Sequence, residues 1–125
     1  MNMEISTPKN YKATLIFIHG IGVSRLMWSR VEREFKKDCQ IIKVDLLGFG
    51  DSKASEWLKY SLEDQARSLF LTLFKNNKLI NFKPVIIIGH SMGTLVATEF
   101  ASRYKPLVSE LVLISPPIYL RRSNL

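Results

Sequence analysis

Gly89-His90-Ser91-Met92-Gly93 constrains the fold of this chain more than any other stretch. It joins an uninterrupted apolar run, Val85-Ile86-Ile87-Ile88, to an amphipathic stretch from Thr94 to Arg103. The flanks read as a buried strand and a helix, so the pentapeptide must turn the chain sharply between them. A side chain two positions either side of Ser91 would collide with the crossing strand and helix, which accounts for glycine at both places. Such an elbow holds Ser91 in a strained backbone with Oγ above the sheet. It also aims the next backbone N–H, that of Met92, into the same space. The competing reading is a glycine-rich connection in which Ser91 does no more than cap the helix.

The rest of the chain alternates in the same way. Thr14-Leu15-Ile16-Phe17-Ile18 reads as a buried strand, and Gln40 to Asp45 as a second. Val85 to Ile88 is the third and Leu111-Val112-Leu113-Ile114 the fourth, ended by Pro116-Pro117. Between them, Ser24 to Lys37 has Trp28, Val31 and Phe35 on one helical face. Ser61-x-x-Asp64 opens a helix with a capping-box pattern, and Leu62, Ala66, Leu69 and Leu73 line its apolar face. Strands that are apolar throughout and separated by helices imply an α/β fold: a parallel sheet with helices on both faces, in three layers. Residues 1–13 read as an N-terminal extension and residues 14–125 as the core. The irregular stretch from Gly48 to Tyr60 is placed to line a site.

The 125 residues suffice for one domain with a real core; 46% are hydrophobic and 23% charged. Two His and one Cys argue against a structural zinc site, which needs four ligands, and no metal or cofactor is expected. Cys39 reads as a reduced, partly buried residue rather than a second nucleophile. The formal charge is +7, but the basic residues are spread along the chain, Arg121-Arg122 forming one late pair, and aromatics do not interleave with them. That excludes a nucleic-acid surface from the expected partners. Apolar runs stop far short of the ~20 residues that span a bilayer. The first residues lack a basic start followed by an apolar core, so the cytoplasm is the expected location.

Two further motifs sit at strand ends. The first strand runs into His19-Gly20-Ile21-Gly22. Glycines let the backbone turn at the carboxyl end of the strand, where open α/β sheets bind ligands. A backbone N–H of Ile21 or Gly22 would there face the one from Met92. His19 reads as a buried brace for this loop. The second strand ends in Asp45-Leu46-Leu47-Gly48-Phe49-Gly50-Asp51-Ser52, with Asp45 bracing loop backbone. A Rossmann-type dinucleotide site competes for these residues. Gly20-x-Gly22-x-x-Arg25 follows a strand and Asp45 ends the next, but Arg25 stands where the third glycine belongs.

His19-Gly20, Trp28, Asp45-x-x-Gly48-x-Gly50-x-Ser52, Gly89-His90-Ser91-Met92-Gly93 and Leu111 to Pro116 come in the order and approximate spacing of one family. From Thr14 onward the chain resembles the α/β-hydrolase superfamily. The resemblance implies Ser91 as nucleophile and backbone donors at Met92 and at Ile21 or Gly22. Gly89, His90, Gly93, His19 and Gly20 would support the elbow and loop. Serine rather than aspartate at position 91 disfavours the dehalogenase and epoxide-hydrolase branches. His-Gly-x-Gly rather than His-Gly-Gly-Gly disfavours the hormone-sensitive-lipase branch. An esterase-like or lipase-like enzyme with a small-molecule, ester-like substrate is what remains.

The family's triad runs Ser, then Asp or Glu, then His. No His follows Ser91 here, and no Asp or Glu follows Glu110. The expectation is therefore an N-terminal portion of a hydrolase, without cap, acid or base, and inactive alone. A non-catalytic interaction module on the same half-fold is the alternative. In the family's sheet order the second and fourth strands would lie at bare edges, so self-association is expected.

Overall fold

The computed structural model describes residues 1–52, 60–76 and 83–118. Five strands form one sheet in the order β1-β3-β2-β4-β5. β1 spans Asn2–Ser6, β2 Ala13–Ile18, β3 Cys39–Asp45, β4 Val85–His90 and β5 Glu110–Ile114. β2, β3, β4 and β5 run parallel, with Ile16 opposite Ile42 and Ile87, and Ile88 opposite Val112. All residues of β2 and β3 are buried, β2 as its apolar run predicts, and β3 with Gln40, Lys43 and Asp45 paired by hydrogen bonds or ions. The α/β class and the parallel core agree with the sequence.

The N-terminal segment departs from expectation. β1 pairs antiparallel with β3, Asn2 opposite Asp45 and Ser6 opposite Ile41. Residues 1–13 are therefore not a bare extension, and the second apolar strand, β3, is not an edge. The signal was present: Met3 and Ile5 alternate with Asn2, Glu4 and Ser6, the period of an edge strand with one buried face. Met3 and Ile5 pack against the main core.

The helices were legible in part. Helix α1, Leu62–Lys75, begins with the expected box: Ser61 Oγ accepts from the Asp64 N–H at 3.0 Å, and the Asp64 carboxylate accepts from the Ser61 N–H at 3.2 Å. It buries Ala66, Leu69 and Leu73, as read, and Gln65, while Leu62 stays exposed. Helix α2, Met92–Arg103, buries Val96, Ala97 and Phe100. Both helices pack together, and with Ile16, Ile18, Ile42, Val44 and Ile87 they enclose the main core on one face of the sheet.

The stretch Ser24 to Lys37 is not one helix. Two short 3-10 turns, Arg25–Trp28 and Val31–Glu34, replace it. Arg25 is drawn to Asp45 by its backbone N–H and by its guanidinium, while Trp28 goes beneath the sheet against Phe17. Those anchors are three residues apart, the repeat of a 3-10 turn rather than an α-helix. Val31 and Phe35 are left exposed. The sheet face they flank carries an apolar groove of about 360 Å³ lined by Leu15, Phe17, Ile86, Ile88, Val112 and Ile114. Much of the stretch from Gly48 to Tyr60, and the Arg121-Arg122 pair, fall outside the described residues. Among those described, no helix is long and apolar enough to cross a membrane.

Candidate active site

The elbow is built by close approach. Ser91 has φ 54° and ψ −119°, a left-handed conformation that a serine adopts at a cost of about 1–3 kcal/mol. Three bonds hold it there. Its N–H donates to Ile114 O at 3.0 Å, and its carbonyl accepts from the Thr94 N–H at 3.0 Å and the Thr94 hydroxyl at 2.6 Å. The flanking glycines are required for contact. A Cβ on Gly89 would stand 2.5 Å from Gly93 O, and one on Gly93 would overlap the carbonyls of Ile18 and His19. Helix α2 thus presses directly onto the end of β2.

Ser91 makes no side-chain cap bond to α2, although it occupies the N-cap position. The simple capping reading of Ser91 therefore fails. Its Oγ is not committed to the helix, and the residue is half-buried at the carboxyl edge of the sheet. Met92 is the first residue of α2, so its N–H belongs to the helix-terminal donors that find no partner inside the helix.

The second loop meets the elbow at Gly20. A Cβ there would lie 3.0 Å from Ser91 Cβ and 3.1 Å from His90 O. Gly22 has φ 77°, and nothing stands within 4 Å of the place its Cβ would occupy. Ile21 is 70% exposed. The structure therefore brings His19, Gly20, His90, Ser91, Met92 and Gly93 together, with Ile21 and Gly22 in the continuing loop.

His19 is fully buried and fully engaged. Its Nδ1–H donates to Gly20 O at 2.7 Å, and its Nε2 accepts from the Leu46 N–H at 2.9 Å. Burial holds the imidazole below its ordinary range, against a smaller upward pull from the Gly20 carbonyl and the Asp45 charge. It braces two strand ends and has no free nitrogen for proton transfer.

Asp45 is likewise a brace. Its side chain has no solvent exposure. Burial alone would raise its carboxyl; the Arg25 N–H, the Asn2 amide, the Asp51 N–H and the Arg25 guanidinium outweigh that and hold it at about 2. Arg25 also pairs with Glu4 and Asp51, so one guanidinium ties β1, the end of β3 and the loop after it. A carboxylate so saturated has nothing to offer a ribose, and the dinucleotide reading fails at that residue. The Gln65 amide completes the frame, accepting from Leu47 N–H at 2.8 Å and donating to Leu47 O at 3.0 Å. No pattern in the sequence marked Gln65 or Asn2 for these roles.

Cys39 is buried at 3% exposure, and burial pushes its thiol up, away from nucleophile chemistry. No group of three or more metal-ligating side chains occurs among the described residues. A larger cleft of about 580 Å³ lies along α1, lined by Met1, Tyr60, Arg67, Leu71 and Lys75, and does not include Ser91.

Comparison with known proteins agrees with this architecture. The family model for the alpha/beta hydrolase fold matches residues 13–124. A protein of Arabidopsis thaliana named as a probable lysophospholipase, BODYGUARD 4, is 31% identical over 121 residues, which cover 91% of this chain and 28% of the relative. Among solved structures, a marine microorganism esterase superposes with a TM-score of 0.80 at 26% identity, covering 98% of this chain and 45% of the other. A bacterial membrane phospholipase A superposes with a TM-score of 0.81 at 28% identity, covering 98% and 39%. The chain thus spans about a quarter of the length of the curated relatives it matches.

Proposed function

The chain belongs to the alpha/beta hydrolase fold family, and from that premise we propose that it carries the nucleophile half of a serine hydrolase acting on a small carboxylic-ester substrate. Ser91 Oγ is the nucleophile. The N–H of Met92 and that of Ile21 or Gly22 are the oxyanion donors. The observation that carries this reading is the backbone of Ser91, held at φ 54° on a strand-to-helix turn while its hydroxyl is left unspent by the helix it precedes. The names of the relatives, lysophospholipase, esterase and phospholipase A, share the cleavage of an ester bond, and that supports the substrate class.

In this reaction the Oγ–carbon bond forms as the carbonyl π pair moves onto oxygen, where the two N–H groups receive the charge. The Oγ proton must pass to a base. His19 has both nitrogens engaged. His90 adjoins Ser91 at the elbow, where neighbouring side chains diverge. Neither supplies the base, so the 125 residues are proposed to be inactive by themselves. Loss of a triad member leaves only oxyanion and binding effects.

The test is turnover of a short activated ester by the purified 125-residue chain beside its Ser91→Ala form. Equal, low rates are expected. If its locus encodes a downstream acid and His, the chain extended through them should gain several orders of magnitude and lose them on Ser91→Ala. Clear Ser91-dependent turnover by the 125 residues alone would overturn the claim of inactivity. An extended form indifferent to Ser91→Ala would overturn the nucleophile.

A further inference from the structure

Among the described residues, two buried side-chain polar atoms have no hydrogen-bond partner: Trp28 Nε1 and His90 Nδ1. They belong to rings that face each other edge-on, centroids 6.5 Å apart and planes at 85°. An indole N–H can only donate, and a neutral imidazole nitrogen without its proton can only accept. Two orphaned groups of opposite kind, on neighbouring rings, are complementary. No direct hydrogen bond joins them, and a single water can bridge a donor and an acceptor on neighbouring rings with legs of about 2.9 Å. Native interiors rarely leave such buried groups without a partner.

We propose that one buried water joins Trp28 Nε1–H to His90 Nδ1, fixing His90 as the neutral tautomer with its proton on Nε2 and making His90 a positioning residue for the elbow. Trp28 is the last residue of the first 3-10 turn, 3% exposed and packed on Phe17 at 4.9 Å between centroids. His90 is the last residue of β4, and its Nδ1 lies 3.5 Å from where a Gly20 Cβ would stand. The water therefore sits behind the contact between the His19-to-Gly22 loop and Ser91, and it ties the turn that follows this loop to the elbow. That these backbones hold an oxyanion rests on the function proposed above; the water and the tautomer do not.

A distinctive consequence follows from the other histidine. His19 carries its proton on Nδ1, because that nitrogen donates to Gly20 O while Nε2 accepts from Leu46 N–H. The protein's two imidazoles should hold opposite tautomers.

Selective labelling with 15N-histidine and 15N-tryptophan gives only two imidazoles and two indoles to resolve. The expected spectrum of the 125-residue chain shows one His protonated on Nδ1 and one on Nε2. It also shows a cross-peak from the Trp28 indole proton to a long-lived water. In His90→Phe the water cross-peak disappears. In Trp28→Phe the His90 tautomer preference relaxes and, in a uniformly 15N-labelled sample, the amide signals of Ile21 and Gly22 shift. Two histidines of the same tautomer, or an indole proton with no water contact in the parent, would overturn the proposal without any variant having to fold. None of these readouts involves Ser91 chemistry, so their failure is separate from failure of the hydrolase reading.

Discussion

The two faces of the sheet are made of similar residues and have opposite fates. On one face α1 and α2 bury Ile16, Ile18, Ile42, Val44, Ile87 and Phe100 to zero exposure. On the other, Leu15, Phe17, Ile41 and Ile88 are buried with Trp28, but β5 leaves Val112 and Ile114 at 40% exposure beside an apolar groove. The two edges differ in the same sense. β1 carries Glu4, whose carboxylate meets Arg25 and Lys43, while β5 ends in Val112, Leu113 and Ile114, each 40% exposed or slightly more. Charge at an edge blunts pairing with another chain, and an exposed apolar run such as Val112 to Ile114 invites it, the charge of β5 lying at its first residue, Glu110. Stability should therefore be concentrated on the helical face, and association on the other.

The contrast breaks most severely at the elbow. Gly93→Val places a branched side chain where the carbonyls of Ile18 and His19 already stand. Those are backbone atoms of a central strand and cannot rotate away. The variant should lose about 3 kcal/mol or more, enough to abolish cooperative thermal unfolding in a domain of this size. A parent-like melt would show that α2 does not press on β2 at this point. Comparable in size, Phe100→Ala empties a fully buried site between α2 and the sheet and should cost about 3–5 kcal/mol by denaturant titration.

The third effect is electrostatic and runs through the frame under the loops. The folded Asp45 carboxyl is held at about 2, below its ordinary 3.8. A depressed carboxylate stabilises the fold above its unfolded value, and the contribution is lost as pH falls from about 4 toward about 2. The size is about 2 kcal/mol, from 1.36 kcal/mol per unit. Asp45→Asn should remove a comparable amount at neutral pH and flatten the acid limb of the stability curve. An unchanged acid limb would mean that the Arg25 pair contributes nothing.

These residues also mark how far the sequence could be read. The buried strands were legible because a strand covered on both faces needs unbroken apolar runs, and Thr14 to Ile18 and Val85 to Ile88 have them. The elbow was legible because Gly89 and Gly93 are needed for contact, not flexibility. The capping box at Ser61 and Asp64 was local and therefore visible. The helix read over Ser24 to Lys37 was not formed, because Arg25 and Trp28 answer to Asp45 and Phe17, partners far along the chain. Gln65 and Asn2 were invisible for the same reason: their hydrogen bonds to Leu47 and Asp45 depend on tertiary placement, and no spacing encodes it. The loop contact at the candidate site was half legible. Gly20 was marked as a turn, but its closeness to Ser91 is a property of two adjacent strands.

The smallest expected effect on stability is the sharpest test of the two-face contrast. Val112 lies mid-strand on β5, 40% exposed, facing the groove. Val112→Lys adds a charge that a half-exposed position can turn to solvent, its stem lying along the groove wall. The change in unfolding free energy should stay within about 0.5 kcal/mol, as for surface substitutions generally. Its effect on association should be much larger, because the unsatisfied N–H and C=O groups of β5 are usable by another chain only if the incoming strand also finds an apolar flank. The parent chain is therefore expected to elute in gel filtration as self-associated species and the variant to shift toward monomer. Two monomeric proteins would show that the open face is inert at the concentrations used. A variant that loses 2 kcal/mol or more would show instead that Val112 belongs to the core, and the difference between the faces would disappear with it.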